Sequence, residues 1–301
     1  MEIIHKTKID FIGKKKFSFI ISGCIALFGI IGIIQISRGE ANMGIDFTGG
    51  TALQLKFEKP VAMQDARKAL SKYGLEAALQ EISDGNKLLI KIGRTPIAPG
   101  KVSDTVQSIL AKEFPANRFI VESSTEIGPS IGKKLRKDTL IAIALALLGI
   151  IIYIAWRFDF KFGIAAALAT LHDVLAIFAV FYVLNKEVNL LLITAVLTIA
   201  GYSLTDTVVV FDRIRENLRK NMKESLKNIF NLSINEVLSR TIITALTTML
   251  AALSLTLFGG EVIHDFAFAL VIGILVGTYS SVFVASPLVV VWENRAKRVN
   301  A

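Results

Sequence analysis

The feature that most constrains this chain is a set of six apolar stretches, at 17–36, 139–156, 162–184, 188–211, 241–258 and 266–291. Each has about twenty residues or more, long enough to cross a hydrocarbon core of ~30 Å. The last exceeds what a bilayer needs and is expected to tilt or protrude. A hydrophobic share of 53% lies above the usual share for a soluble domain. The expected class is therefore a polytopic α-helical membrane protein with six transmembrane helices.

The first stretch is preceded by Lys14, Lys15 and Lys16 and followed by Ile34-Gln35-Ile36-Ser37-Arg38. A signal-peptide core is shorter, about 7–15 residues, and ends in a small-x-small cleavage site. The stretch thus reads as a retained anchor. The single cysteine, Cys24, lies inside it, so no intrachain disulfide can form.

The net charge of +9 raises the question of nucleic acid. Its distribution argues for no nucleic-acid partner, because the cations gather at the ends of apolar stretches, as membrane topology requires. With the N-terminus inside, Lys14 to Lys16, Arg157, Lys161, the 212–240 segment and Arg295, Lys297 and Arg298 all face the cytoplasm. The opposite short loops hold Lys186, Glu187, Glu261 and Asp265. Six crossings put both termini on the cytoplasmic side. The expected domains are 1–37 (N-terminus and first helix), 38–138 (an outer domain), 139–295 (helices two to six) and 296–301 (a tail).

The 38–138 segment has its own periodicity. Leu53, Leu55 and Phe57 alternate with Gln54 and Lys56, the signature of a strand. Val61 to Tyr73 reads as a helix stopped by Gly74, and 76–82 as a strand. The Asp84-Gly85-Asn86 turn leads to a strand at 87–92. Lys101 to Phe114 reads as a helix ended by Pro115, and 118–126 as the last strand. The order β-α-β-β-α-β predicts a ferredoxin-like α+β domain between the first and second spans.

Charged residues within apolar spans cost about 3 kcal/mol even on a lenient scale, so they are functional candidates by default. Asp206 sits in the fourth span, in Gly-Tyr-Ser-Leu-Thr-Asp-Thr-Val-Val-Val-Phe-Asp-Arg. Arg240 opens the fifth span and could reach Asp206 if the two helices pack. Thr241, Thr244 and Thr248 follow at three- and four-residue spacing on one helical face, where hydroxyls could hold water and relay protons. His172 and Asp173 lie mid-way along the third span; a relay and plain interhelical hydrogen bonding are both open there. For Asp206 and Arg240 the bland alternatives are a structural ion pair, or an Asp206 that simply snorkels to the interface.

Gly273, Gly277, Ser281 and Ala285 recur at every fourth position of the sixth span. This small-residue face is expected to admit another helix closely, with a partner subunit's in view. Gly23, Gly29 and Gly32 form a weaker version in the first span. Gly44, Asp46, Phe47, Gly49 and Gly50 form a glycine-flanked segment that can be a turn feeding the first outer strand. No Walker-type phosphate loop and no zinc-ligand spacing occur, so neither a cofactor nor a metal is expected.

Gly44-Ile45-Asp46-Phe47-Thr48-Gly49-Gly50, Tyr202 to Glu216, Ser239-Arg240-Thr241 with Thr244 and Thr248, and Gly277-Thr278-Tyr279-Ser280-Ser281 with Ala285 and Pro287 together resemble the SecF family. That family belongs to the resistance-nodulation-division transporter superfamily. The resemblance runs from the N-terminus to about residue 295, with the motifs in order. It departs at Thr205, where the family pattern carries Asn. It implies a non-enzymatic subunit of the bacterial inner membrane that pairs with SecD. With the SecYEG channel, and with YajC and YidC as further candidate partners, the pair would use the proton-motive force to help unfolded preproteins emerge into the periplasm. Asp206 and Arg240 would belong to the proton pathway. A small-molecule exporter of the same superfamily would need a longer chain and larger outer domains. A scaffold that moves no protons differs only at Asp206. An intramembrane aspartyl protease using Asp173 and Asp206 lacks the Gly-x-Gly-Asp context.

The orientation has a direct check. On a Cys24→Ser background, impermeant thiol labelling of intact cells is expected to modify Lys72→Cys and to spare Lys223→Cys. The reverse pattern overturns the assignment.

Overall fold

The structure is a computed structural model that describes residues 7–38, 42–82, 86–93, 95–98, 100–220 and 223–299. Asp84 and Gly85 of the expected turn lie outside the described residues, as do the side chains of Glu261, Arg295, Lys297 and Arg298. The chain divides into two units. One comprises 42–141 with 187–190, and the other the rest of the chain.

The first unit begins with a short helix α2 (Ile45–Thr48), preceded in the chain by α1 (Lys15–Arg38) of the other unit. It continues through β1 (Gly50–Phe57), α3 (Met63–Lys72), β2 (Ala77–Ile82), β3 (Lys87–Ile92), α4 (Val102–Glu113) and β4 (Phe119–Ile127). The sheet order is β2-β3-β1-β4 with every neighbouring pair antiparallel, the split β-α-β arrangement expected from the element order. Leu53, Leu55 and Phe57 of β1 and Leu88, Ile90 and Ile92 of β3 point to one face. There they bury against Ala66 and Leu70 of α3 and Val106 and Leu110 of α4. The period of two in β1 is what makes this face continuous. The helix stops follow from backbone chemistry. Gly74 adopts φ +74°, a conformation that costs a glycine little, and α4 ends ahead of Pro115, whose ring disfavours helix in the residue before it.

The second unit is helical: α1, α5 (Pro129–Arg157, which begins in the other unit), α6 (Phe160–Val183), α7 (Leu190–Lys220), α8 (Leu226–Phe258), α9 (Glu261–Ser280) and α10 (Ser286–Val299). A π-helical turn, Ser281–Ala285, joins α9 to α10. Among the described residues six helices are long and apolar enough to cross a membrane, α9 to α10 counting as one. The chain is thus a multi-pass membrane protein with a small α+β domain. Helix α6 is the most enclosed; α5 and α8 present Leu145, Leu148, Ile152, Leu246 and Leu250 outward. Such exposure carries no penalty in lipid, whose tails are as apolar as leucine. Phe211 packs edge-to-face on both Phe158 and Phe162, with ring centroids 4.9 Å apart for Phe162 and Phe211.

The helices outrun the hydropathy stretches. α5 starts at Pro129 rather than 139, because proline is well placed in a first helical turn and the Lys-, Arg- and Leu-rich residues that follow favour helix without being apolar. The segment 212–240 is mostly helix as well. α7 runs to Lys220 and α8 starts at Leu226, capped by Ser225. α10 reaches Val299, so most of the expected tail continues a helix. The π turn has a local cause. Pro287 has no N–H, and its ring would crowd the carbonyl of Phe283 four residues earlier, which the wider turn relieves.

Leu55 is fully buried in the α+β core, so Leu55→Ala is expected to cost that unit about 2–5 kcal/mol, while Lys56→Ala on the outward side of the same strand stays within about 0.5 kcal/mol. Protease resistance of the 50–127 region during denaturant titration of the full-length chain reads the difference.

Candidate functional site

Three helices meet at Asp173. Its side chain is fully buried on α6, where Oδ1 lies 3.1 Å from Nδ1 of His172. Oδ2 accepts from Ser203 of α7 and, at 2.8 Å, from Ser280 of α9. A carboxylate in an apolar bundle needs such donors, because an unpaired buried charge is costly. Next to this node, Tyr279 reaches α1: its hydroxyl lies 3.1 Å from Ser22 Oγ and donates to Ser18 O, while its ring stacks on Phe283. His172 and Asp173 are both buried; Asp173 hydrogen-bonds across to α7 and α9, whereas the His172 ring pairs with Asp173 on its own helix and its Nε2 has no hydrogen-bond partner among the described residues. Ser203 and Ser280 were missed as site residues. The available signal was spacing, since Ser203 precedes Asp206 by three residues and so shares its face of α7.

Asp206 is only 5% exposed, on that same face. Among the described residues its Oδ2 has no hydrogen-bond partner, and no ion pair within 4 Å joins it to Arg240. The two make no ion pair in this structure. Thr241 is buried with an unpartnered hydroxyl, and it lines a largely apolar groove of about 440 Å³ with Leu238, Ala245, Thr278 and Val282. Thr244 and Thr248 donate to Arg240 O and Thr244 O of their own helix, both at 2.9 Å. The threonine stripe is accordingly divided: one hydroxyl faces inward unpaired, and two are turned back along α8. Thr205 likewise donates to Gly201 O at 3.1 Å and makes no bond to Asp206. Asp173 and Asp206 share no hydrogen bond in this structure.

The small-residue face of the sixth span is taken up within the chain. A Cβ on Gly273 would come 2.5 Å from Ile199, and one on Gly277 3.0 Å from Ser203, so α7 occupies the place expected for a partner's helix. This close approach lies beside the node, since a Cβ at Gly277 would press on the same Ser203 that donates to Asp173. Ser281 and Ala285 are buried within the π turn. In the first span Gly29 and Gly32 face α6, against Leu175 O and Tyr182, while Gly23 meets nothing.

The glycine-flanked segment lies in the α+β unit. Gly44 N–H donates to Val188 O at 2.9 Å, and Val188 N–H to Asn42 O at 2.8 Å. Asp46 Oδ2 accepts from the N–H of Leu190 at 2.9 Å, occupying one of the free donors at the start of α7. Phe47 is buried, and Gly49 and Gly50 have φ +75° and +147°. A Cβ at Gly50 would collide with the carbonyl of Ile92. The segment does feed β1, as a turn would, and it also fastens the 187–190 connection.

Residues 106–295 match the family model described as "Protein export membrane protein SecD/SecF, C-terminal", and residues 41–61 match the "SecD/SecF GG Motif". The chain is 52% identical over 292 residues to the protein translocase subunit SecF of Thermodesulfovibrio yellowstonii, covering 96% of each. The chain belongs to the SecF family. Another SecF, from Calditerrivibrio nitroreducens, is 44% identical with 99% of each chain covered. Among solved structures, SecDF of Thermus thermophilus, described as a translocon-associated membrane protein, superposes with a TM-score of 0.82 at 36% identity. A SecDF in a super-membrane-facing form gives 0.72 at 34%. The chain spans 96% and 100% of itself in those alignments but only 39% and 40% of the SecDF chains. As a SecF family member it is a protein translocase subunit with an accessory transport role.

Within this SecF member the two glycines of the motif differ from Gly74 in what surrounds them. Gly50→Ala combines left-handed strain with a backbone collision and is expected to destabilise the α+β unit by about 1–3 kcal/mol or more. Gly74→Ala, at φ +74° in open space, is expected to cost about 1 kcal/mol. Thermal unfolding of the two full-length variants, followed by protease sensitivity of the unit, gives the ranking.

Proposed function

We propose that this chain forms, with a SecD subunit, a proton-driven accessory of the protein-export channel. In this reading its six helices are half of a membrane core that SecD completes, and the pair joins SecYEG, with YajC and YidC as candidate neighbours. The 38–138 domain stands in the periplasm, both termini are cytoplasmic, and the membrane is the bacterial inner membrane. An unfolded preprotein leaving the channel is the client. Proton flow down its gradient supplies the work, and no nucleotide is hydrolysed by this chain.

The observation that carries the proposal is the state of Asp206. A carboxylate within a membrane helix is rare, and this one is buried without an ion-pair partner and with one oxygen unengaged among the described residues. Asp206 takes a proton from one side of the membrane and gives it up to the other. Arg240 offers a cation that can approach the carboxylate once the proton has left. Thr241, whose hydroxyl has no partner among the described residues, passes a proton by way of water in this reading, with Thr244 and Thr248 further along α8. Asp173, accepting from Ser203 and Ser280, ties α6 to α7 and α9, and His172 pairs with it on α6. Each transfer moves a single proton, so charge and atoms balance without a cofactor.

Export into membrane vesicles, with and without an imposed proton gradient, separates this from a scaffold role. Asp206→Asn is expected to fold, insert and bind SecD normally, yet to lose gradient-dependent stimulation. Arg240→Lys should be damaging too, because a lysine lacks the planar fork that pairs a carboxylate at two points. Full gradient-dependent activity in Asp206→Asn leaves the scaffold reading in its place.

A further inference from the structure

The segment ahead of α1 is fastened to α8 by a set of specific hydrogen bonds. Thr7 Oγ1 donates to Asn235 Oδ1 at 2.6 Å, and the N–H of Ile9 donates to the same oxygen at 3.0 Å. Asn235 Nδ2 donates in return to Ile9 O at 2.9 Å. One turn earlier, Asn231 Oδ1 accepts the N–H groups of Phe11 and Ile12, both at 3.0 Å, and its Nδ2 donates to Asp10 Oδ1 at 2.7 Å. A further turn earlier, Lys227 Nζ lies 2.6 Å from Asp10 Oδ2. Lys227, Asn231 and Asn235 are thus a stripe at four-residue spacing on one face of α8. Phe11 and Ile12 are buried, with Phe11 edge-on to Phe283. The Lys227 ammonium, followed by the Gly13 N–H and the Asn231 amide, pulls the Asp10 carboxyl down to about 2, so the attachment keeps its charge throughout the physiological range.

The opposite side of α8 is held by α7. Ser233 Oγ accepts from Asn217 at 3.0 Å, and Glu236 accepts from Asn217 and Arg213, both at 2.7 Å. At 100° per residue, Ser233, Glu236 and Arg240 lie about 140–200° around the helix from Asn231. Arg240 therefore shares the front face with the α7 contacts, and the N-terminal segment grips the back. All these cross-helix bonds lie N-terminal to Arg240, whereas Thr244, Thr247 and Thr248 donate to carbonyls of α8 itself. The end of α8 below Arg240 is where its rotation is set. A turn of about 20° would move an atom about 6 Å from the axis by about 2 Å, enough to make or break a contact.

We propose that Thr7–Ile12 is a positioning clamp which, through Asn231 and Asn235, fixes the rotation of α8 and so the placement of Arg240 relative to Asp206. The proposal rests on the reading of Asp206 and Arg240 as the proton-handling groups. Asn231 and Asn235 are positioning residues and touch no proton in transit. The clamp reads the backbone N–H groups of Ile9, Phe11 and Ile12 together with the side chains of Thr7 and Asp10.

The test uses the full-length chain assembled with SecD, on a Cys24→Ser background. In Asn231→Ala/Asn235→Ala, the hydrogen bonds lost should raise amide exchange of residues 9–12 by roughly tenfold or more. Spin labels at Leu168→Cys on α6 and Leu246→Cys on α8 should show a shifted or broadened distance distribution. Gradient-driven stimulation of export should fall severalfold, with gradient-independent export unchanged. A second variant, Thr7→Cys/Asn235→Cys, restores the clamp reversibly. Bridging with a short bis-methanethiosulfonate reagent should recover stimulation, and reductant should remove it again, which a misfolded chain would not do. An unchanged label distance, or an unbridged pair with full stimulation, overturns the clamp. Asp206→Asn measured alongside separates the two readings. If it abolishes stimulation while the loosened clamp does not, the clamp fails alone. If neither matters, the proton reading fails, and the label distance alone decides whether the clamp sets α8.

Discussion

The carboxylate of Asp173, accepting from serines on two other helices, is the interaction on which the helical unit depends most. In a bilayer no hydrophobic force draws helices together, so close packing and interhelical hydrogen bonds must do it. Asp173 supplies both requirements at one point. Its oxygens draw Ser203 of α7 and Ser280 of α9 toward α6, and Gly277 leaves the room for α7 to come that near. Were Gly277 larger, Ser203 would be pushed off and the charge left short of donors. The small-residue stripe and the buried acid are therefore one device. The π turn that begins at Ser281 sits immediately after Ser280, so the distortion demanded by Pro287 falls beside the residue that closes the node.

Away from this node the contacts thin out, and they do so unevenly. α6 and α7 are held on several sides, whereas α8 is covered on few, and its polar anchors crowd its first turns. α8 rests along one side on α9 while most of its surface is left to lipid, so its angular setting depends on that one neighbour and on the polar anchors of its first turns.

The sequence reading was accurate where local backbone physics alone decides. Leu53, Leu55 and Phe57 alternate because one face of β1 is buried, and Gly74 and Pro115 stop helices by their own covalent geometry. It was less informative at the ends of spans, because hydropathy registers contact with lipid and says nothing of where hydrogen bonding along a helix stops. Lys133 to Asp138 and Arg213 to Lys220 are helical although polar. Asp206 and Asp173 stood out as charges in apolar runs, but their surroundings did not. Spacing gives the face of a helix and not which neighbour lies across it, so Ser203, Ser280, Asn231 and Asn235 were hidden. The asparagines carried a faint signal, being poor helix formers four residues apart near the start of a long helix.

The two buried acids show why depth alone does not assign a role. Both sit on enclosed faces of central helices, and both would be flagged by any rule based on charge in a membrane. Asp173 has its oxygens engaged by His172, Ser203 and Ser280, and giving a proton to a mobile carrier there would require surrendering contacts that hold three helices. Asp206, one helical turn from Ser203, keeps an oxygen that no described residue engages, although burial makes such an orphan costly. A chain that needed Asp206 only for stability would do better with a leucine. The two buried acids are thereby told apart by their partners: Asp173 fastens three helices, whereas Asp206 has one oxygen that no described residue engages, and the first fixes the face of α7 on which the second lies.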